Sequence, residues 1–395
     1  MDELYNISKS KITRINTHFK RFLIDKINWK NQLIAIKGAR GVGKTTLLLQ
    51  YIKLHLPNDD TVLYVSMDEL FFIKHSLIGL AEIFVQNGGK HLFLDEVHKY
   101  PNWSREIKLI YDRYAELQVV FTSSSVLEIY KAESDLSRRA ISYILPEMSL
   151  REFIALESNI VLPSYTLDEL LNNHQDITST ILDKIKPLQH YNKYIKYGAY
   201  PYFKQGIDEY HQRLIQTINL IIEVDIMAVE NISFLQITKI KKLLFAIATS
   251  VPFTPNISKL AAKVGLSRQS LVKALHALEK ARLLILLNKK SKGITALNKP
   301  DKLFLNNTNI MEAITTNHNV GTLRETFFIN QTKYNNTFYL AEKGDFIINE
   351  NTFEIGGKNK TQKQIKAIKN SFIVKDSIEF GSANSIPLWL FGFLY

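Results

Sequence analysis

Cysteine is absent from the 395-residue sequence, which excludes disulfides and thiolate metal sites and fits a reducing, cytoplasmic setting. Long apolar runs are missing too. The longest, Ile386–Tyr395, falls far short of the ~20 residues a membrane helix needs, so no membrane partner is expected and the run reads as a buried terminal strand. Met1 to Lys11 carries Asp2 and Glu3 and has no apolar centre, unlike a secretory leader. Acidic residues are the scarcer charge, 38 against 50 Lys and Arg, leaving a formal net charge of +12. That imbalance favours a polyanionic partner, although charge alone speaks equally to solubility. Hydrophobic residues reach 46%, enough to fill the cores of two or three domains, so disorder is not expected.

What is present begins with Gly38-Ala39-Arg40-Gly41-Val42-Gly43-Lys44-Thr45, a full match to G-x-x-x-x-G-K-[ST]. The apolar run Gln32–Lys37 before it suits a buried strand, and Thr46–Ile52 after it suits a helix, so the motif has the context a phosphate cradle needs. ATP and Mg2+ are the expected ligands. Gly38, Arg40, Gly41, Val42, Gly43, Lys44, Thr45 and Thr46 are the expected nucleotide-binding residues, with Lys44 also catalytic and Thr45 on the metal.

Residues 1–31 read as a lead-in with Phe19, Phe22, Leu23 and Ile27 at roughly helical spacing. Strand-like Thr61–Ser66 and helix-like Leu77–Gln86 follow the loop, an alternation that implies a parallel sheet. The strand His91–Asp95 then ends in two carboxylates. Phosphoryl transfer needs charge neutralisation and a positioned water, so Asp95 is expected to hold the magnesium shell and Glu96 to orient or deprotonate the water. His98 reads either as a contact to nucleotide or neighbour or as a surface histidine. A further strand, Gln118–Phe121, runs into Thr122-Ser123-Ser124-Ser125. Two readings stand for these hydroxyls: Thr122 and Ser124 sense the γ-phosphate, or they cap a helix beginning near Val126. Arg138 and Arg139 likewise read as an arginine finger for an adjacent subunit of a homo-oligomer, or as a basic surface pair.

The order of these motifs, with Leu145–Phe153 after them, resembles the prokaryotic AAA-type ATPases related to archaeal ATPases. Against that family's usual pattern Ser123 stands for the glycine of the sensor segment, Arg138 for a second glycine, and Glu147-Met148-Ser149 for a Pro-Leu-Ser core. Arg139 aligns with the family arginine, and Gly198–Phe203 resembles a Gly-Gly-Tyr-Pro-Glu turn of the same family.

Residues 151–250 carry helical patterns such as Leu214, Ile218, Ile221-Ile222 and Ile226, and read as a lid or connector. From Thr254 the pattern is a helix, the turn Gly265-Leu266-Ser267 and a second helix from Arg268 to Ala281. The run Leu283–Leu287 and the basic stretch 288–293 complete a plausible winged helix. Leu271, Leu275 and Leu278 line one face of the second helix, while Arg268, Gln269, Lys273, His276 and Lys280 lie largely off it. With Lys289 and Lys290 these are the expected DNA contacts. Between Thr254 and Pro300 ten Lys and Arg face Glu279 alone, so most of the chain's excess charge sits here. Such density predicts salt-sensitive, largely sequence-tolerant binding. The competing reading is a protein-interaction module.

The last hundred residues read as a small α/β domain. Segments 321–328, 343–348 and 353–358 resemble the acidic and lysine elements of PD-(D/E)xK nucleases, which the family ATPases often carry at this place. The resemblance implies a second metal site at Glu325, Asp345 and Glu354. Gly356 stands where lysine is expected, so Lys358 is the substitute, and a relic that keeps only the fold is the alternative.

The expected fold class is α/β: a P-loop NTPase parallel-sheet domain over 1–150, a helical connector over 151–250, a winged-helix domain over 251–298 and a small restriction-nuclease-like α/β domain over 299–395. The expected function is ATP hydrolysis coupled to DNA binding, with a slow nucleotide-dependent switch or an ATP-gated nuclease as rivals.

Overall fold

Five short runs build the sheet of the first unit: β1 (Leu33–Lys37), β2 (Val62–Ser66), β3 (His91–Asp95), β4 (Gln118–Ser123) and β5 (Ile141–Ile144). The computed structural model describes residues 1–123, 136, 138–227, 233–249, 256–290, 300–334 and 336–395. They fall into two units, Met1–Glu147 and Met148–Tyr395. In the first, the order is β2-β3-β4-β1-β5 and every neighbour is parallel. β1 and β2 are buried along their whole length, as strands covered on both faces must be, and this is why they read as unbroken apolar runs. β3 and β4 are buried after their first residue, and the edge strand β5 is the most exposed of the five.

Helices α1 (Asp2–Arg14), α2 (Lys44–His55), α3 (Leu77–Gln86) and α4 (Trp103–Arg113) complete this unit among the described residues. α1 carries Asp2 and Glu3 in its first turn and Lys11 and Arg14 in its last, each charge opposing the helix dipole. The lead-in departs from the expected spacing: Phe22–Asp25 is a single 3-10 turn, in which Leu23 and Ile24 are buried. Leu80, Phe84, Ile107 and Ile110 pack with Leu92, Leu94 and Phe121 into one core.

In the second unit the chain is helical over Leu150–Ser158, Leu167–Leu182, Pro187–Tyr197 and Tyr210–Leu220, the last running into a π-helical turn at Ile221–Ile226. The first two begin with full capping boxes, Ser149 with Glu152 and Thr166 with Glu169. Three helices follow, Phe234–Ala248, Ile257–Val264 and Arg268–Lys280, then the antiparallel pair β6 (Leu284–Leu287) and β7 (Lys302–Leu305). Asn256 and Ser267 cap the last two helices, and Gly265 ends the first of them at φ 72°, a conformation glycine takes without strain.

Asn309, on the helix Thr308–Ile314, ties this unit together. Its amide oxygen accepts from Ala199 N at 2.8 Å and Tyr210 Oη at 2.5 Å, while its nitrogen donates to the Tyr194 and Ile195 carbonyls. This fixes the turn at Gly198–Phe203, so that segment is held by a buried amide with every polar group answered.

The helix Val320–Thr332 packs on a five-stranded mixed sheet of order β12-β11-β10-β9-β8. Its strands are β8 (Phe338–Leu340), β9 (Phe346–Ile348), β10 (Asn351–Gly356), β11 (Ser371–Lys375) and β12 (Ser385–Pro387). β8, β9 and β10 form an antiparallel meander, and β11 and β12 add in parallel. Phe328 lies among Phe346, Phe353 and Phe391.

The terminal apolar run corrects an expectation. Only its first two residues are strand; Leu388–Phe393 is a buried 3-10 helix. A run buried on all sides has no period to read, and at Gly392 a Cβ would meet Leu150 Cβ at 2.5 Å, so the run ends against a helix instead of extending the sheet.

Candidate nucleotide site

The P-loop leaves the C-terminal end of β1 and enters α2 at Gly43, whose φ of 97° no side chain takes comfortably. Gly38 is required for a different reason: a Cβ there would stand 2.5 Å from the Leu145 carbonyl. Lys44 is buried, and its ammonium donates to the Gly38 and Ala39 carbonyls at 2.9 and 2.8 Å. Gly41, Thr45 and Thr46 are exposed on the loop, with Arg40 half-buried beside them.

Because β4 lies between β1 and β3, the loop after β1 and the carboxylates after β3 open on the same edge, with Thr122 between them. Asp95 is 3% exposed and collects three hydroxyls. Thr45 Oγ1 donates to Oδ2 at 2.7 Å, Tyr64 Oη donates to Oδ2 at 2.8 Å, and Thr122 Oγ1 donates to Oδ1. Tyr64 escaped the reading of the sequence. Its only signal was a phenol inside the buried run of β2, which must find a partner; burial, then the Asp95 charge, push that phenol well above its ordinary value.

Glu96 sits in the left-handed region at φ 54°, and its N–H donates to Thr122 Oγ1 at 3.1 Å. Its carboxylate is ion-paired to Lys99, which also holds Asp68 at 2.6 Å. Burial pulls the Lys99 ammonium down, but the bonds to Asp68 and Glu96 outweigh it and its value rises. Ser123 Oγ lies 3.2 Å from His98 Nδ1, so His98 belongs to this edge and is not a detached surface histidine.

Ser124, Ser125 and the helix start near Val126 fall outside the described residues. Arg139 donates to both oxygens of Asp112 on α4, at 2.8 and 3.1 Å, while Arg138 is exposed. Arg268, Gln269, Lys273 and Lys280 are exposed along their helix, as are Lys289 and Lys290 after β6. His276 is half-buried and 3.6 Å from Glu279. Lys292 and Lys299 are outside the described residues.

The second metal site expected near Glu325 does not fit. Glu325 is paired to Lys302 at 2.7 Å, Asp345 accepts from Ile355 N at 2.7 Å, and Glu354 is ion-paired to Lys360. Among the described residues no group of three His, Asp or Glu is set to hold a metal ion. Lys358 is exposed, and the lysine that reaches Glu354 is Lys360, because its stem folds back over Gly356.

Residues 30–154 match a family model described as an AAA domain, AAA_14, and residues 188–320 match a domain of unknown function, DUF8612. Two uncharacterised proteins of Methanocaldococcus jannaschii are similar to the chain. One is 30% identical over 71% of this chain and 64% of its own length; the other is 26% identical over 91% and 76%. The chain thus spans less than two thirds of the first relative. A Walker-type ATPase of Pyrococcus abyssi is similar at a TM-score of 0.44 and 12% identity, covering 75% of this chain and 95% of that one. No helix of the described residues is long and apolar enough to cross a membrane. Residues 30–154, which match the AAA domain model, carry a phosphate loop, a buried aspartate and a glutamate on one edge of a parallel sheet.

Proposed function

We propose that the chain hydrolyses ATP and couples the cycle to duplex DNA. One observation supports the site above all: Thr45 and Asp95, the hydroxyl and carboxylate suited to share a magnesium shell, stand 2.7 Å apart on the edge where the P-loop opens. Bound there, magnesium would neutralise charge on the phosphates. The amides of Gly41 to Lys44 and the Lys44 ammonium would hold the phosphates, Thr45 and Asp95 would hold the ion, and Glu96 would orient the water. Thr122, bonded to both Asp95 and the Glu96 amide, keeps those two carboxylates in register. Arg138, exposed where Arg139 is engaged by Asp112, is the better placed of the pair to reach a neighbouring copy in a homo-oligomer.

The helix Arg268–Lys280, its capped predecessor and the β6–β7 pair have the order of a winged helix, with Arg268, Gln269, Lys273 and Lys280 on the exposed side. In this reading that helix enters the major groove and Lys289 and Lys290 meet phosphates beside it. The helix, meander and parallel strands of the tail follow a nuclease-like order, and the lysines paired to Glu325 and Glu354 favour a tail that holds or shapes over one that cuts.

The deciding measurement is the ATPase rate with and without duplex DNA. Stimulation supports the coupling; a rate indifferent to DNA, with no binding at low salt, leaves a nucleotide switch. That second reading has its own support, since Lys99 holds Glu96 in an ion pair and a water-orienting glutamate so engaged turns over slowly.

A further inference from the structure

We infer that Arg21 is a positioning residue for the phosphate loop, acting from behind it. Arg21 is 3% exposed, an unusual place for a guanidinium. It precedes the 3-10 turn Phe22–Asp25, whose buried Leu23 and Ile24 anchor it to the unit's interior. Its fork is spread over the phosphate loop and the segment just after β5. Nη1 donates to the Val42 carbonyl at 2.5 Å and Nη2 to the Pro146 carbonyl at 2.8 Å.

The consequence follows from peptide geometry. The Val42 carbonyl and the Gly43 N–H belong to one planar trans peptide and point in opposite directions. With the carbonyl held by Arg21, the Gly43 amide faces away from the buried guanidinium. That is the direction an anion cradle requires of it. Gly43 is also the residue least able to keep this orientation alone, because glycine at φ 97° lets the peptide before it turn over cheaply.

The second bond fixes the first. Pro146 follows Leu145, whose N–H donates to the Lys37 carbonyl at 2.8 Å and whose own carbonyl lies against Gly38. The guanidinium therefore spans the loop and the segment that backs its first glycine. A planar fork with two donors suits that task, and an ammonium, a single point, does not.

This inference rests on the phosphate-binding reading and deepens it, so the test separates the two. The probes are ATP and inorganic pyrophosphate, which has the phosphates and no base, with adenosine as control. Binding is measured by calorimetry on the full chain. Arg21→Ala should weaken ATP and pyrophosphate about tenfold, leave adenosine unchanged, and raise KM while kcat falls less than about twofold. Millimolar guanidinium should restore part of the loss, which a merely structural defect would not allow. Arg21→Lys, which keeps a buried cation if the alanine variant fails to fold, should lose several-fold.

Pyrophosphate bound equally well by folded Arg21→Lys and wild type would overturn the inference, as would a loss that guanidinium does not repair. Lys44→Ala discriminates further. If it abolishes pyrophosphate binding while Arg21→Ala binds pyrophosphate as tightly as wild type, only the Arg21 inference falls; if it leaves pyrophosphate binding intact, the phosphate-binding reading falls and takes the inference with it.

Discussion

At the scale of single residues, the site divides into groups named by motif and groups found only by packing. Lys44, Thr45, Asp95 and Glu96 announce themselves through spacing, because a phosphate loop and the carboxylates beside it are each set within one short stretch. Tyr64, Lys99 and Arg21 do not: Tyr64 reaches Asp95 across strands, Lys99 joins its neighbour Glu96 to the distant Asp68, and Arg21 reaches Val42 from another turn of chain. Lys44→Ala should lower ATP turnover about a hundredfold or more, read as phosphate release. Tyr64→Phe removes one hydroxyl from Asp95 and should cost about 1 kcal/mol of stability in denaturant titration, with a modest fall in turnover. Lys99→Met frees Glu96 and should raise turnover at saturating ATP several-fold; an unchanged or lower rate would show that the lysine supports the glutamate instead of restraining it. Asp68 adds a pH signature. Burial pushes its carboxyl up, but bonds from Lys99 and Ser66 prevail and lower it. A lowered carboxylate contributes stability above its ordinary value of 3.8 and loses it as pH falls through the folded value, so the Lys99 link should weaken only in that acid window.

At the scale of elements, legibility depended on whether a segment has one buried face or none exposed. The helix Arg268–Lys280 was readable because Leu271, Leu275 and Leu278 repeat on one side and Ser267 caps it. The run Ile386–Tyr395 was not, because burial on every side erases the period. The tail failed for another reason: Lys360 rather than Lys358 meets Glu354, and spacing along a chain says nothing of where a stem folds back. Charge reversal at Lys273 should weaken duplex binding across sequences and reduce the slope of log affinity against log salt by about 1. The Glu325 and Glu354 carboxyls give an opposite pH dependence to Asp68. Burial raises both, Lys302 or Lys360 pulls each back, and the Asp345 charge adds to the rise. A raised carboxyl binds its proton more tightly folded than unfolded, so stability increases as pH falls from neutrality toward the ordinary glutamate value of 4.5. Thermal unfolding of the second unit should rise over that window, and Glu325→Gln should flatten the trend.

At the scale of the whole molecule, the two units differ in how far along the chain their ties reach. The first is closed by contacts such as Arg21 to Pro146, 125 residues apart. The second has one of comparable reach, Asn309 back 115 residues to Tyr194, and one about twice as long, Ser149 Oγ donating to the Tyr395 main-chain oxygen across 246. If ATP and DNA act on one cycle, Lys44→Ala should keep duplex affinity while losing turnover, and charge reversal at Arg268 and Lys273 should abolish the stimulation by DNA while sparing the basal rate. The bond from Ser149 to Tyr395 also sets a timetable for synthesis. Every strand of the parallel sheet has left the ribosome long before Tyr395 is added, whereas the helix Leu150–Ser158 must wait for the turn Leu388–Phe393 and Tyr395 to reach it. A chain interrupted before Leu388 would carry every strand of the first unit and lack, in the second, the turn that packs on the helix Leu150–Ser158.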